Sequence, residues 1–348
     1  MKKKLSAIVL ILIFIFNFSA CGKSEPKRYE AQFLQLFDTV TQIIGYTDTK
    51  EEFEEYTQII YDELKVYHEL YDIYNDYDGI NNIKTINDNA GIKPVEVDKK
   101  IIDLLVFAKD KYVETNGTFN IAMGSVLEIW HDYRTRGIDD PENAELPPMD
   151  KLVAASKHTD INKIIIDDEK NTVYLEDPEM SIDVGSIGKG YAVEQVCRYV
   201  EEKGFKHGLV SVGGNVRAIG DKGIDDELWN VGIENPDKES EQKSIHIMKI
   251  KDMSLVTSGD YQRYYTVDGV KYHHIINDDT LMPSTYFRAV TILGKDSGYA
   301  DALSTAVFNM PFDEGLKFIN SLDGVEALWI FKNGDIKYSD NFKKYIKE

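Results

Sequence analysis

Apolar positions along the chain fall into two spacings. From Glu51 to Tyr74 they recur as Phe53, Tyr56, Ile60, Leu64, Tyr67, Leu70, Tyr71 and Tyr74, the interval of one helix face. The segment 99–115 predicts a second helix that stops at Gly117, and SGYADALSTAVFNM, residues 297–310, predicts a third. LFDTVTQIIGY instead alternates residue by residue, as a strand with one buried face does. KIIID, TVYLED and SIDV predict short strands before residue 185, and HGLVSVGG, ELWNVGIEN, SIHIMKI and YYTVDGVKYHHII predict more after it. Asp268-Gly269 and Asn333-Gly334 predict tight hairpin turns, because these pairs accept the left-handed backbone such turns need. DDPENAELPP, residues 139–148, reads as an acidic surface loop. Helices mixed with antiparallel strand pairs exclude a purely doubly wound sheet and predict an α+β fold.

The N-terminus breaks the pattern. Residues 1–21, MKKKLSAIVLILIFIFNFSAC, carry three lysines, an apolar run from Leu5 to Phe18, then small residues ending at a cysteine. The run is short for a membrane span and has the form of an export signal. Phe18-Ser19-Ala20-Cys21 resembles a bacterial lipobox, so residues 1–20 are expected to be a signal peptide and Cys21 the lipid-carrying residue. An ordinary secretory signal or an uncleaved anchor are the alternatives, and all three place the remainder outside the cytoplasm. The lipid reading puts it on the outer face of the cell membrane, with residues 21–30 as a tether and 31–348 as one domain. Cys197 is the only other cysteine, so acylation of Cys21 leaves no intramolecular disulfide. The formal charge is −20, and −23 without residues 1–20. That argues against nucleic acid and against a broad anionic membrane face as partners, but not against a small anion bound by local groups.

SIDVGSIGKGYA, residues 181–192, gathers Asp183, Gly185, Gly188, Lys189 and Gly190 at a predicted strand-to-helix junction. Glycines allow close backbone approach, and a helix N-terminus with a lysine favours phosphate. Gly190 after the lysine excludes a Walker A loop, and the spacing is not that of a Rossmann turn. The plain alternative is a glycine-rich turn with a solvated lysine. Asp301 and Thr305, four apart on the third helix, are stacked on one face and suit Mg²⁺ completed by water and phosphate. Alternatively, Asp301 serves the helix dipole and Thr305 bonds back to a carbonyl. His273 and His274 point to opposite faces of a strand, so only one can line a site and the other is expected to be solvated. No H-E-x-x-H, paired C-x-x-C or G-x-S-x-G occurs.

In order, FDTV (37–40), LYDIYNDYDGINNIKTIN (70–87), TNGTFNIAMGSVLEIW (115–130), SIDVGSIGKGYAVEQV (181–196), LVSVGGN (209–215), WNVGIENP (229–236), VTSGDYQRYY (256–265), HHIIND (273–278) and ADALSTAVF (300–308) resemble the ApbE family of FAD:protein FMN transferases. The resemblance implies a T-fold-like α+β architecture with mixed, largely antiparallel sheets and flanking helices. It implies transfer of FMN from FAD to a threonine or serine hydroxyl with release of AMP, dependent on Mg²⁺. It also implies acceptors among extracytoplasmic subunits of ion-pumping oxidoreductases and related flavoproteins.

Carried over by motif, Asp301, Thr305 and the Ser186 carbonyl are expected metal ligands, with Ser304 beside them. Asp183 and Lys189 are expected to contact FAD. Phe37, Tyr74, Thr118, Phe119, Asn120 and Ile275 are expected to line its pocket. His274 matches the family's catalytic histidine, with Asp260 as the alternative proton acceptor. Asn120, Asn215 and Asn277 stand where the family usually has aspartate, and Leu281 where glycine is common, which puts a second cation and the identity of the base in doubt. The competing readings are a Mg²⁺-dependent FAD pyrophosphatase and a flavin-binding lipoprotein without chemistry.

Overall fold

Residues 25–347 are described by a computed structural model, so the export signal and Cys21 lie outside the described residues. An antiparallel pair, β1 (Lys27–Phe33) and β2 (Thr41–Thr47), leads into the long helix α1 (Lys50–Tyr71). There follow α2 (Ile83–Asp88), β3 (Val95–Glu96), α3 (Lys99–Glu114), α4 (Gly124–Asp139) and α5 (Met149–Ala155). Next come β4 (Ile164–Asp167), β5 (Thr172–Leu175) and α6 (Gly188–Glu202). β6 (Gly208–Val212), β7 (Asn215–Ile219), β8 (Trp229–Glu234), β9 (Ser244–Ile250) and β10 (Ser254–Gly259) precede the hairpin β11 (Tyr264–Val267) and β12 (Val270–His273). β13 (Phe287–Gly294), α7 (Ser297–Phe308), α8 (Phe312–Ser321), β14 (Glu326–Phe331) and β15 (Ile336–Tyr338) complete the order.

The main sheet runs β1-β2-β6-β7-β10-β13-β14-β15, with every neighbour antiparallel. Its central strands are apolar on both faces, because both are covered. Val290, Ile292, Ala327 and Trp329 face a core shared with α6 and α7, while Ala289, Leu293, Leu328 and Ile330 face Trp229, Val231 and Met248 of the β8–β9 ribbon. Helix α7 is buried nearly all round, as its alanine-rich sequence requires between sheet and α6. A third core joins α4 and α5 to the β11–β12 hairpin through Val126, Trp130, Leu152, Tyr265 and Val267.

The hairpin turns form as the sequence predicts: Asp268 and Gly269 have φ of 50° and 78°, and Gly334 has φ of 88°. Helix α3 ends at Glu114, and the turn after it is closed by Gly117 N–H on the Tyr112 carbonyl and Asn116 N–H on the Val113 carbonyl, with Asn116 at φ 50°.

Four expectations change. The tether enters the fold at Lys27, as the edge strand β1. The strand expected from Leu36 begins only at Thr41, because Phe37 and Asp38 take left-handed φ of 55° and 51°. Helix α1 ends at Tyr71 and leaves Tyr74 outside it. There the Asp72 carboxylate accepts from the N–H of Tyr74 and Asn75 and from the Tyr77 hydroxyl, which folds the chain away from the helix axis. SIDV forms no strand, since Asn87 takes both backbone groups of Ile182, and Asp183 N–H goes to the Ile121 carbonyl.

Candidate active site

The site is built where α6 and α7 touch. Asp301, 5% exposed, receives Gly190 N–H and Asn215 Nδ2, each at 2.8 Å, on its Oδ2. Gly190 N–H is one of the first-turn donors that have no partner within α6, and Asp301 takes it; the Ser186 carbonyl, just before the helix, has no backbone donor among the described residues. Asp301 Oδ1 and Thr305 Oγ1 likewise have no hydrogen-bond partner there. The cap of α7 is Asp296, which accepts from Tyr299 N–H. Neither structural alternative for Asp301 and Thr305 therefore operates. Burial pushes the Asp301 carboxyl above its usual range, against Lys189 and the two hydrogen bonds. A buried carboxylate with one free oxygen, a free hydroxyl and a free carbonyl is a hard-oxygen set that fits Mg²⁺. Ser304 does not join it: its hydroxyl donates to the Asp301 carbonyl and meets Ser258 Oγ at 2.8 Å, facing β10.

Asn215 starts β7 after the Gly213-Gly214 turn, and its amide is a donor to Asp301 that an aspartate in that place could not supply. Helix α6 begins at Gly188, so Lys189 and Gly190 lie within its first turn rather than in a loop before it. The Asp183 carboxylate accepts Gly185 N–H at 2.7 Å. Burial raises its pKa, opposed by that bond, His131, Lys189 and Arg134. The Lys189 ammonium lies 3.4 Å from the Gly185 carbonyl and opposes the rise of the Asp301 pKa.

His274 Nδ1 lies 3.2 Å from the Arg263 carbonyl, which can only accept, so the proton sits on Nδ1 and the Nε2 lone pair is free. Burial, then Arg263, Arg134, His273 and Lys189, push its pKa down to about 3. The ring is neutral in ordinary buffers, with its Nε2 lone pair unpartnered. The unfolded chain protonates this imidazole near its ordinary 6.5 and the folded chain only near 3, so stability is lost as pH falls through that window. His274→Gln is expected to flatten the decline of the denaturation midpoint between pH 6.5 and 3. Identical slopes in the two proteins would contradict the depressed pKa.

His273 is not solvated as expected. It is buried against Phe308, with Nε2 2.8 Å from the Ser284 carbonyl and Nδ1 accepting Ile275 N–H. Asp260 is held by Lys332 at 2.7 Å, with Arg288 at 4.0 Å, and its charge acts on His273 rather than His274, so it is not brought to the site. Ile275 is buried beside them. Asn277 shapes the following turn, accepting Thr280 N–H and donating to the Asn309 carbonyl. Leu281 has φ of 57°, the conformation for which glycine is suited, and its carbonyl accepts Trp130 Nε1 at 2.9 Å.

Tyr74 is 54% exposed and lies over His131, ring centroids 5.0 Å apart, its hydroxyl 3.3 Å from His131 Nδ1. Arg134 donates to the same nitrogen at 2.9 Å, which fixes the His131 proton on Nε2. Phe37 is half-buried, its N–H on His68 Nδ1 and its ring edge-on to that imidazole. The Phe119 ring, 1% exposed, belongs to the core, so only its backbone can face a ligand. Thr118 is half-buried beside it, and Asn120 is used structurally, accepting Ala122 N–H and donating to the Thr159 carbonyl. The neighbouring Asp278 carboxyl is pushed up to about 7 by burial and Asp279. Sequence reasoning missed His131 and Arg134 because it drew no helix over 124–139. The spacing Val126, Trp130, Tyr133, Gly137 was the available signal.

Residues 37–329 match the ApbE family. The chain belongs to the ApbE family. It is 32% identical over 270 residues to the FAD:protein FMN transferase of Treponema pallidum, covering 74% of this chain and 72% of that protein. It is 29% identical over 255 residues to a protein of the same name from Klebsiella pneumoniae, covering 73% and 76%. Among solved structures, the ApbE protein of Thermotoga maritima superposes with a TM-score of 0.81 at 29% identity, covering 92% of this chain and all of that one. The mixed α+β fold with antiparallel sheets and flanking helices is thus the ApbE fold, and its relatives are transferases.

Proposed function

We propose that this chain is a Mg²⁺-dependent FAD:protein FMN transferase that moves FMN from FAD to a threonine or serine hydroxyl of an extracytoplasmic acceptor flavoprotein and releases AMP. A lipid on Cys21, after removal of residues 1–20, would tether it to the outer face of the cell membrane. The observation that carries the reading is the set of oxygens left without partners at the α6–α7 contact: Asp301 Oδ1, Thr305 Oγ1 and the Ser186 carbonyl. Mg²⁺ held there would neutralise charge on the pyrophosphate.

The chain's own groups supply the remaining steps. The first turn of α6 and Lys189 offer positive charge to the substrate's phosphates. The acceptor hydroxyl attacks the phosphorus on the riboflavin side, breaking its bond to the AMP oxygen. His274 Nε2 takes the hydroxyl proton, because its lone pair is unoccupied and its Nδ1–H is anchored on Arg263. Tyr74 shields the flavin and limits attack by water.

Purified protein with FAD and Mg²⁺ separates the readings. A transferase needs acceptor protein to yield AMP and protein-bound flavin, a pyrophosphatase yields AMP and free FMN without acceptor, and a binder yields no AMP. The half-exposed Tyr74 makes the second reading specific: Tyr74→Asn is expected to raise the ratio of free FMN to protein-bound flavin several-fold. An unchanged ratio would remove Tyr74 from the partition between water and acceptor.

A further inference from the structure

Two consecutive residues in the turn between β1 and β2, Phe37 and Asp38, hold left-handed φ of 55° and 51°. That conformation is costly for a bulky side chain and persists only where the surroundings impose it. One restraint is His68, on the last turn of α1, whose Nδ1 accepts the Phe37 N–H at 3.3 Å while its ring meets the Phe37 ring edge-on, centroids 5.5 Å apart. A backbone N–H can only donate, so the His68 proton sits on Nε2, which lies 3.4 Å from the Tyr77 hydroxyl oxygen. The Tyr77 hydroxyl donates in turn to Asp72 Oδ2 at 2.8 Å. Asp72, 8% exposed, also accepts the N–H of Tyr74 at 2.6 Å and of Asn75 at 3.1 Å on Oδ1. Every hydrogen thus points one way, from Phe37 through His68 and Tyr77 to the carboxylate that also holds the Tyr74 backbone. Burial would raise the Asp72 carboxyl, and the donors Asn75, Tyr74 and Tyr77 together hold it below its usual range.

We infer that His68 is a positioning residue that locks the Phe37 turn to the Tyr74 turn and so keeps water from the flavin, an inference that rests on the flavin-transferase reading above. An imidazole suits the role because it accepts at one nitrogen and donates at the other, which neither a carboxylate nor an ammonium can do. The far side of the Phe37 turn lies on the strand connection that feeds the metal set. The Val40 carbonyl accepts Gly213 N–H at 3.1 Å, and a Cβ added to Gly213 would lie 2.7 Å from Thr39 Oγ1. Two residues on, Asn215 donates to Asp301. The turn is therefore held on one side by Gly213 and on the other by His68. Without His68 the Phe37 N–H loses its acceptor and the left-handed turn loses a restraint, while Asp72 still holds the N–H of Tyr74 and Asn75 and the end of α1 persists. Among the described residues none of His68, Tyr77 and Asp72 is hydrogen-bonded to Asp301, Thr305 or His274, so the effect falls on water at the flavin rather than on the groups that act at phosphorus.

The test uses purified protein with Mg²⁺ and FAD and no acceptor, following release of FMN, together with iodide quenching of the fluorescence of bound FMN. Tyr77→Phe keeps the ring and removes only the link between His68 and Asp72. It is expected to raise FMN release several-fold, the size of one lost hydrogen bond, and the iodide quenching constant about twofold or more, with the KM for FAD within about twofold. His68→Leu is expected to act in the same direction. His68→Gln is expected to recover part of the loss, because its amide can accept from Phe37 and donate to Tyr77. A lower thermal midpoint with unchanged FMN release and unchanged quenching would overturn the inference and leave the three side chains as a support for the fold only. Equal effects from His68→Gln and His68→Leu would overturn it by reducing His68 to its bulk. Failure of the unaltered protein to bind FMN, or its rapid release of FMN from FAD without acceptor, would instead defeat the flavin-transferase reading.

Discussion

Asp301→Asn is expected to lower FMN transfer about a thousandfold or more while the thermal midpoint in the absence of Mg²⁺ stays near that of the unaltered protein. The amide keeps the size of the carboxylate, and its remaining oxygen can still accept from Gly190 N–H and Asn215 Nδ2. What disappears is the charge and the free Oδ1. Losing several kcal/mol of charge stabilisation in the transition state corresponds to that fall in rate. Asp301→Ala is a poorer test, because it strands two buried donors at about 1–3 kcal/mol each and confuses folding with chemistry. The measurement is activity against Mg²⁺ concentration, with thermal midpoints taken with and without Mg²⁺. The unaltered protein is expected to be stabilised by Mg²⁺ and the variant not. A variant that keeps its Mg²⁺-dependent activity would remove Asp301 from the ligand set.

That Asp301 and Thr305, the side chains of the proposed metal set, share one face of α7 was legible in the sequence, since residues four apart on a helix fall on one face. The third oxygen was not derivable from spacing. Its neighbour, the first-turn donor Gly190 N–H, goes to Asp301, a contact between residues 111 apart in the chain that spacing does not show. Two hairpins could be read because their pairing is local: β11–β12 and β14–β15 are closed by Asp-Gly and Asn-Gly turns. The long helix was read three residues too far, because Tyr74 continues the apolar interval and only the Asp72 turn ends it. Asp260 is an acid near the right segment, and its neutralisation by Lys332, 72 residues away, has no trace in sequence spacing. His131 meets Tyr74, 57 residues away, only once α4 is packed in the fold.

The three glycines of residues 185–190 show the same limit, and they give the other large effect. Read as a loop, all three should be needed for backbone freedom, yet none has a positive φ. What distinguishes them is the space a methyl group would enter. At Gly190 an added Cβ would collide with the Cβ of Asp301 and the carbonyl oxygen of Ser297, and would lie 3.0 Å from Asp301 Cγ. Two of those obstacles are at or next to backbone, so α6 and α7 must separate. At Gly188 the nearest atoms, on Tyr71 and Val184, are 3.5 Å away, which is ordinary contact. At Gly185 the one close atom is Asp183 Oδ1 at 2.9 Å, the end of a side chain at an exposed turn. Gly190→Ala is therefore expected to destabilise the protein by about 1–3 kcal/mol through overpacking and to lower activity about a hundredfold, because the displacement moves Asp301 from the Ser186 carbonyl. Gly188→Ala, in the first turn of α6, is expected to keep activity and to gain up to about 1 kcal/mol by restricting the unfolded chain. Gly185→Ala is expected to change stability by less than about 0.5 kcal/mol, as exposed substitutions do. Urea denaturation and FMN transfer, measured on all three, separate a packing contact from a flexible phosphate loop. If Gly185→Ala and Gly188→Ala lose as much activity as Gly190→Ala, the loop reading returns and the close α6–α7 approach is not what the motif preserves.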